Sequence, residues 1–560
     1  MFLATAALGI FAFLFNLGML PLLADEPTRT LVALEMMIRG EFIDPTIIGV
    51  PYYKKPPLYN WILIGFFRLA DSSSEFIIRL PSVLSLFLFG GTLIWWFSRY
   101  VEKNVALITG LAYIVSGRIL VYASLLGHID IFYSWVTFGV FIVIYEGLRR
   151  EKWLPLFFFA YFLSAVGFLQ KGLPSLVFLG FTLLAVFVVW GKFRKLFHWQ
   201  HMVGSLGMLL PMGAYYYLYA QEADMKATWD ALWWQSSQRT ALETGVLATV
   251  IHLFTYPFVF LGNLAPWGSF ALTALRKSFW QRAWQNPFLR YCIVVFAVNI
   301  PVYWLSPDTR PRYVFMLYPF ALLILVKAYM ELPHRNRLRL GLEYFFAGLL
   351  AVLTAGALVP FFWPEIHLVP GWEWKSLLVA ALMAGVTVLY FRRALWRPLL
   401  LVSALCVFKL GFSFFVIPHR YVEGPQKFYK RQAIELAKLT RGEEVYVLKD
   451  HPMNHDFAHY YTAESNRILS FIDSVPPPGN YLAVRVGTQL TEPHDSVFSF
   501  YLRHKSTRMK VVRIRKAANN EATASSRGAP PQEKADLSGA NPRRKMAFLP
   551  PREKYSVGSL

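Results

Sequence analysis

The stretch "PPLYNWILIGFFRLA", residues 56–70, decides how the chain is threaded. It is apolar almost throughout, yet as a helix it would reach only about 22 Å. That is short of the roughly 30 Å hydrocarbon core of a bilayer. It also carries Arg68. If it crossed a membrane, the basic loops described next would require an outer N-terminus. If it lies along the interface, the N-terminus is inside. Its short length and internal arginine favour an interfacial helix.

Outward from that stretch, the 560-residue chain is 56% hydrophobic and 17% aromatic. Apolar runs of spanning length, about 20 residues each, recur over the first three quarters. Six short loops carry basic clusters: Arg99 with Lys103; Arg149, Arg150 and Lys152; Lys192, Arg194 and Lys195; Arg276, Lys277, Arg282 and Arg290; Arg335, Arg337 and Arg339; and Arg392, Arg393 and Arg397. The positive-inside rule puts all six in the cytoplasm, and two apolar segments separate each consecutive pair. The expectation is an all-α polytopic membrane protein of about 13 spans, with a cytoplasmic N-terminus and interfacial helices in the first outer loop. Residues 2–23 lack a basic leader and a small-residue cleavage site, so they read as a retained first helix and not as a cleaved signal peptide. The formal charge of +22 sits largely in short loops between spans, which argues against a nucleic-acid partner. Both cysteines, Cys292 and Cys406, fall in apolar segments, which argues against a disulfide framework or a cysteine metal cluster.

After the last span, near Val416, the composition changes. "QKFYKRQAIELAKLTRG" has helical periodicity and stops at Gly442. "EEVYVLKD" and "NYLAVRVG" read as strands. Three domains are therefore expected: residues 1–417 in the membrane, a small α/β domain at 418–516 on the outer face, and a disordered tail at 517–560 rich in Ala, Asn, Ser, Pro and charge.

The topology sends several polar residues to the outer face. Asp25 and Glu26 stand in "LLADEPTRTLVALEMMIRGEF", from Leu22. They read either as an N-cap and first-turn acid, with Pro27 at the first helical position, or as functional carboxylates. A cap needs only one of them. Asp130, in "LLGHIDIFYSW", has the same two readings. Two outer turns that each present a carboxylate could hold a general base near an acceptor hydroxyl. Lys54 and Lys55, in "YYKKPPLYNW", read either as snorkelling side chains or as a site for a leaving phosphate. Arg239, Arg310, Arg312 beside Tyr313, and Lys171 in "LQKGLP" are also outside. Several outer cations among interfacial Tyr and Trp favour an anionic ligand. There is no phosphate-binding glycine loop, no dinucleotide fingerprint and no convincing metal motif; His198 and His201 fall in a cytoplasmic loop without a partner pattern.

These motifs resemble those of the lipid-phosphate-sugar-dependent glycosyltransferases, the superfamily of the bacterial aminoarabinose transferases of lipid A and the protein O-mannosyltransferases. The likeness covers roughly the first 420 residues. "ADEPTRTLVALEMMIRGEFIDP" looks like that family's first outer loop, "YYKKPPLYNW" like its Lys-Pro-Pro-Leu segment and "EFIIRLPSVLS" like the start of its second span. "GHIDIFYSW" looks like its second acidic motif, with "QKGLPSLV" and "RPRYVFMLYPFALL" as weaker matches. The resemblance implies that Asp25 is the main catalytic carboxylate, Asp130 the second acid and Lys55 a contact to the donor phosphate. Glu26, Lys54, Arg239, Arg312 and Tyr313 would join in binding substrate. Lys54 stands where the family usually has an acid, so the sequence supports no metal ligand there and no certain cofactor.

The implied activity is transfer of a sugar from a polyprenyl (undecaprenyl) phosphate to lipid A, another envelope glycan or a protein, on the periplasmic face of the inner membrane. A transporter or flippase of lipid-linked sugars is the rival class. It would favour ionisable residues deep in the spans, whereas here they gather at one face. A membrane scaffold whose outer domain binds a partner would leave the outer acids and cations unexplained.

Overall fold

Apolar runs punctuated by proline and glycine fold almost entirely as helices from Phe2 to Glu423 in the computed structural model, which describes residues 1–237, 246–440, 442–502 and 507–516. Among the described residues, eight helices are long and apolar enough to cross a membrane. A ninth span results if Leu247–Asn263 and Trp267–Ala274, bent 114° against each other, count as one. Four apolar helices are shorter: Phe2–Leu14, Leu58–Ala70, Pro174–Val189 and Tyr318–Met330. The protein is thus a multi-pass helical membrane protein. Leu58–Ala70 has 13 residues, about 20 Å of helix.

The segment between Phe2–Leu14 and Glu75–Phe97 positions the site. The helix Glu26–Arg39 starts with Pro27 in its first turn and ends at Gly40, whose φ of +70° closes it. An antiparallel hairpin follows, Thr46–Ile47 against Val50–Pro51. Leu58–Ala70 then returns to pack on Glu26–Arg39. Leu31, Val32, Ala33 and Met36 are fully buried, each large side chain contributing about 1.5–3 kcal/mol by leaving water.

The region after Glu423 is a five-stranded sheet in the order Ser470–Ile472, Val445–Leu448, Tyr481–Arg485, Arg508–Ile514, His494–Tyr501. The first three strands are parallel and the last two antiparallel to their neighbours. Val445–Leu448 and Tyr481–Arg485 fall in the two runs expected to be strands. The helices Gln426–Thr440 and His455–Ser465 accompany the sheet, and the rings of Phe457 and Phe500 stack 4.1 Å apart in its core. The preceding helical stretch does not stop at residue 417; it runs on through a π-helical turn, Phe412–Val416, and Ile417–Glu423. Residues Met1–Arg515 form one unit. Within it, His455–Ser465 packs along Glu26–Arg39. The backbone N–H of Phe471 donates to the carbonyl of Ile48 (3.2 Å), and the N–H of Leu22 donates to the Tyr460 hydroxyl (2.7 Å). Tyr460 in turn donates to Glu75 (3.0 Å). A Cβ on Gly49 would lie 2.6 Å from the Ser470 hydroxyl, so the hairpin tip fits this contact only as glycine. The expected tail, 517–560, lies outside the described residues.

Under this assembly lies a buried ion pair. Glu26 and Arg79 are 0% and 1% exposed, with Oε1 2.8 Å from Nε. Removing one partner of such a pair strands a buried charge, at about 3–5 kcal/mol. Glu26→Ala and Arg79→Leu should therefore each lower the detergent melting temperature by several degrees more than Lys54→Ala, an exposed neighbour. Equal melting of all three would remove the pair from its structural role.

Candidate active site

The two adjacent acids of the first loop are held in different ways. Glu26 is wholly enclosed. Besides Nε, it accepts Nη2 of Arg79 (3.0 Å), the N–H of Leu23 (2.8 Å) and the N–H of Gly127 (2.6 Å). The remaining donors of Arg79 reach the carbonyls of Leu17 (2.8 Å), Leu20 (2.9 Å) and Pro21 (3.1 Å). One carboxylate thereby ties the first loop, the span Glu75–Phe97 and the turn that leads to Asp130. Gly127 must be glycine to come this close: a Cβ there would meet the Ile78 carbonyl at 2.8 Å. Expected at the substrate, Glu26 does not line the cavity described next.

Asp25 occupies the N-cap position but makes no capping hydrogen bond. Its side chain, 58% exposed, pairs with Nη2 of Arg312. The Nε of the same guanidinium lies 3.4 Å from Asp130, and its Nη1 lies 3.1 Å from Nδ1 of His128. Asp130 is almost buried and accepts Lys171 Nζ at 2.6 Å. It sits in the first turn of Ile129–Arg149, while Lys171 is the last residue of Trp153–Lys171. Neighbouring helix ends thus bring the two charges together. Lys171 also lies 4.5 Å from the Tyr313 ring centre, and Lys55 donates to the Lys171 carbonyl (3.4 Å). These groups line a cavity of about 270 Å³. Its wall carries six cations, Arg29, Lys54, Lys55, Lys171, Arg310 and Arg312, against two carboxylates, Asp25 and Asp130. A narrower slot walled by Tyr52, Tyr53, Tyr215, Tyr216 and Tyr219 shares Tyr52 and Lys55 with it.

The charge balance sets the protonation states. Partial burial pushes the Asp25 carboxyl up, but Arg312, His128 and Arg310 together pull it below the usual range. For His128, burial and Arg312 both disfavour the cation and outweigh the nearby acids, so the ring is held below its ordinary value and stays neutral at pH 7. A neutral ring nitrogen can accept from Arg312. The site therefore presents an ionised, partly exposed carboxylate next to a surplus of fixed positive charge. It can bind a phosphate and take up a proton from a hydroxyl at the same place.

Of the residues expected from sequence, Asp25, Asp130, Lys54, Lys55, Arg312 and Tyr313 meet at this cavity. Lys171 and Arg310, read only as outer cations, meet there too. Arg239 lies outside the described residues. Thr28, Arg29, Tyr52, His128 and His455 were not singled out, yet all line the cavity. Thr28 and Arg29 follow Asp25 at the three- and four-residue spacing of one helix face, so a signal existed. Arg29 is 8% exposed, stacks on Tyr52 (5.5 Å) and has no hydrogen-bond partner for its buried Nη1 among the described residues. A donor left open in this way suits an anion. The two cavity carboxylates are already ion-paired, so the wall is poor in metal ligands. Elsewhere, Glu365, His419 and Glu423 bring donor atoms within 4.8 Å of one another, with both glutamates exposed.

Residues 54–216, from Lys54 past Asp130 and Lys171, match the family described as dolichyl-phosphate-mannose-protein mannosyltransferase. The match covers under a third of the chain and falls on the superfamily of lipid-phosphate-sugar-dependent glycosyltransferases that the sequence motifs resemble. In particular, the chain is 25% identical over 359 residues to an undecaprenyl phosphate-α-4-amino-4-deoxy-L-arabinose arabinosyl transferase of Pectobacterium atrosepticum, covering 60% of this chain and 62% of that one. It is 22% identical over 434 residues to the enzyme of the same description from Photorhabdus laumondii, covering 74% and 75%. The chain thus spans less than two thirds of the first of these relatives. The crystal structure of ArnT from Cupriavidus metallidurans bound to undecaprenyl phosphate superposes with a TM-score of 0.66 at 18% identity, covering 91% of this chain and 97% of that one.

Arg312 is the cation common to both acids, which gives a pH test. The folded-state carboxyl of Asp25 is depressed, so its pairing adds stability above the unfolded value near 3.9 and loses it as pH falls through the folded value. Wild type should melt above Arg312→Gln by a constant margin from about pH 5 to 7, narrowing below about pH 4. A margin that does not change with pH would mean that Arg312 acts through packing alone.

Proposed function

We propose that this chain is an integral inner-membrane glycosyltransferase that moves a sugar from an undecaprenyl-phosphate donor to lipid A or another envelope acceptor on the periplasmic side. The observation that carries the reading is the cation-lined cavity in which Arg312 joins Asp25 to Asp130, opening beside a slot of tyrosines. In this reading Lys55, Lys171 and Arg29 hold the donor phosphate. The sugar's anomeric C–O bond breaks, its electron pair departs with the phosphate oxygen, and the acceptor oxygen forms the new bond from the opposite face, with inversion. When the acceptor is a hydroxyl, its proton passes to Asp25. When it is already an anionic phosphate, alignment supplies most of the rate. Asp130 pairs with both Arg312 and Lys171 and so fixes the two cations in place. The sugar named in the relatives, 4-amino-4-deoxy-L-arabinose, is the first donor to try. Transfer to protein is a second reading, favoured by the description of the matched family.

The finer topology belongs to the same proposal: thirteen spans, with Leu58–Ala70 interfacial, an inside N-terminus, and residues 418–516 as a water-facing periplasmic domain. Reporter fusions after Arg150 and after Gly442 should therefore report opposite sides; the same side for both would overturn this map.

The chemistry has its own test. The Asp25 side chain makes no capping hydrogen bond and is 58% exposed, so Asp25→Asn should fold and bind undecaprenyl phosphate while turnover falls about 10²–10⁴-fold. Lys55→Ala should instead weaken donor use. Near-normal turnover by Asp25→Asn with a working substrate pair would remove Asp25 from the chemistry. Incorporation of labelled sugar into protein in place of lipid A would favour the second reading.

A further inference from the structure

His455 lies in the sequence after the last span, yet its side chain lines the same cavity as Asp25. It opens the helix His455–Ser465, and its Nδ1 is 2.8 Å from the Thr28 hydroxyl. Thr28 follows Asp25 by three residues, on the first turn of Glu26–Arg39. The other ring nitrogen, Nε2, has no hydrogen-bond partner among the described residues. Burial, with Lys54 nearby, keeps the ring below its ordinary value and so neutral at pH 7. The placement is anchored. Tyr460, five residues on, takes the Leu22 N–H and reaches Glu75, and Lys430 Nζ meets Glu75 at 2.5 Å. Neither Thr28 nor His455 belongs to the tyrosine slot, whereas Lys55 and Tyr52 do. The cavity therefore has a side that runs on toward the aromatic slot and a side closed by the C-terminal sheet region.

We infer that His455 is a positioning residue for the sugar acceptor: Thr28 fixes its ring through Nδ1, and Nε2 makes a hydrogen bond to an acceptor oxygen next to Asp25. The sheet region is then a wall of the active site, and it bears on acceptor choice. The inference rests on the transferase reading above. The two ring nitrogens can be tested separately, because an asparagine amide falls near Nδ1 and a glutamine amide near Nε2.

The experiment uses the full chain in nanodiscs, with undecaprenyl-phosphate 4-amino-4-deoxy-L-arabinose as donor and purified lipid A as acceptor. His455→Asn keeps the Thr28 contact and loses Nε2. It should raise KM for lipid A about tenfold, the worth of one hydrogen bond, leave the donor KM within about twofold and melt like wild type. His455→Gln should recover most of the acceptor KM. Wild-type kinetics in His455→Asn, or a rise in the donor KM alone, would overturn the inference while leaving the transferase reading intact. A wild-type protein that binds undecaprenyl phosphate but transfers sugar neither to lipid A nor to any other envelope acceptor, glycan or protein, would overturn both.

Discussion

The Glu26–Arg79 pair is the interaction on which the rest depends. A carboxylate with no access to water cannot stay ionised unless every lone pair is satisfied. Here a guanidinium and two backbone N–H groups do so. The same requirement fixes geometry. Because Gly127 N–H must reach Glu26, the turn before Asp130 is held against the loop that carries Asp25. Arg79 in turn gathers the carbonyls of residues 17, 20 and 21 and sets where the first helix gives way to the loop. The acid that takes no part in the cavity is what places the two acids that do.

Above that pair the electrostatics change character. Arg312 spans Asp25 and Asp130, and both acids remain outnumbered by cations around them. A carboxylate without such cations would hold a metal or a proton more readily. A paired one leaves net positive charge for an anion and keeps its own negative charge for the moment a hydroxyl arrives. The Asp25 side chain is 58% exposed and that of Asp130 5%, so a ligand can reach the first while the second is enclosed by its partners.

The multi-pass helical fold was legible because hydropathy, basic loops and span length act locally along the chain. So were the strands in "EEVYVLKD" and "NYLAVRVG", where β-rich runs stand between polar turns. The strands at 470–472, 494–501 and 508–514 were not named. The first is three residues long and half-buried along its length, and His494–Tyr501 at the sheet edge shows little burial pattern to read. Asp25, Asp130 and the lysines stood out as polar residues in apolar company. Which of Asp25 and Glu26 turns inward did not, because the answer lies with Arg79, 53 residues away. His455 had no local signal at all: its importance comes from Thr28, 427 residues earlier.

That separation bears on how the protein comes into being. The Leu22–Tyr460 hydrogen bond joins residues 438 apart, and the Ile48–Phe471 contact is of similar reach. At about 5–20 residues per second, a ribosome needs roughly 20–90 s between making Leu22 and making Tyr460. For that interval the first loop has left the ribosome while the helix that covers it does not yet exist. The first loop is among the first segments made, and its contacts with the sheet region are among the last to form. Chains that terminate early, before residue 455, would insert their spans and still lack one wall of the cavity, so a cell holding prematurely ended copies would hold membrane protein without a finished site.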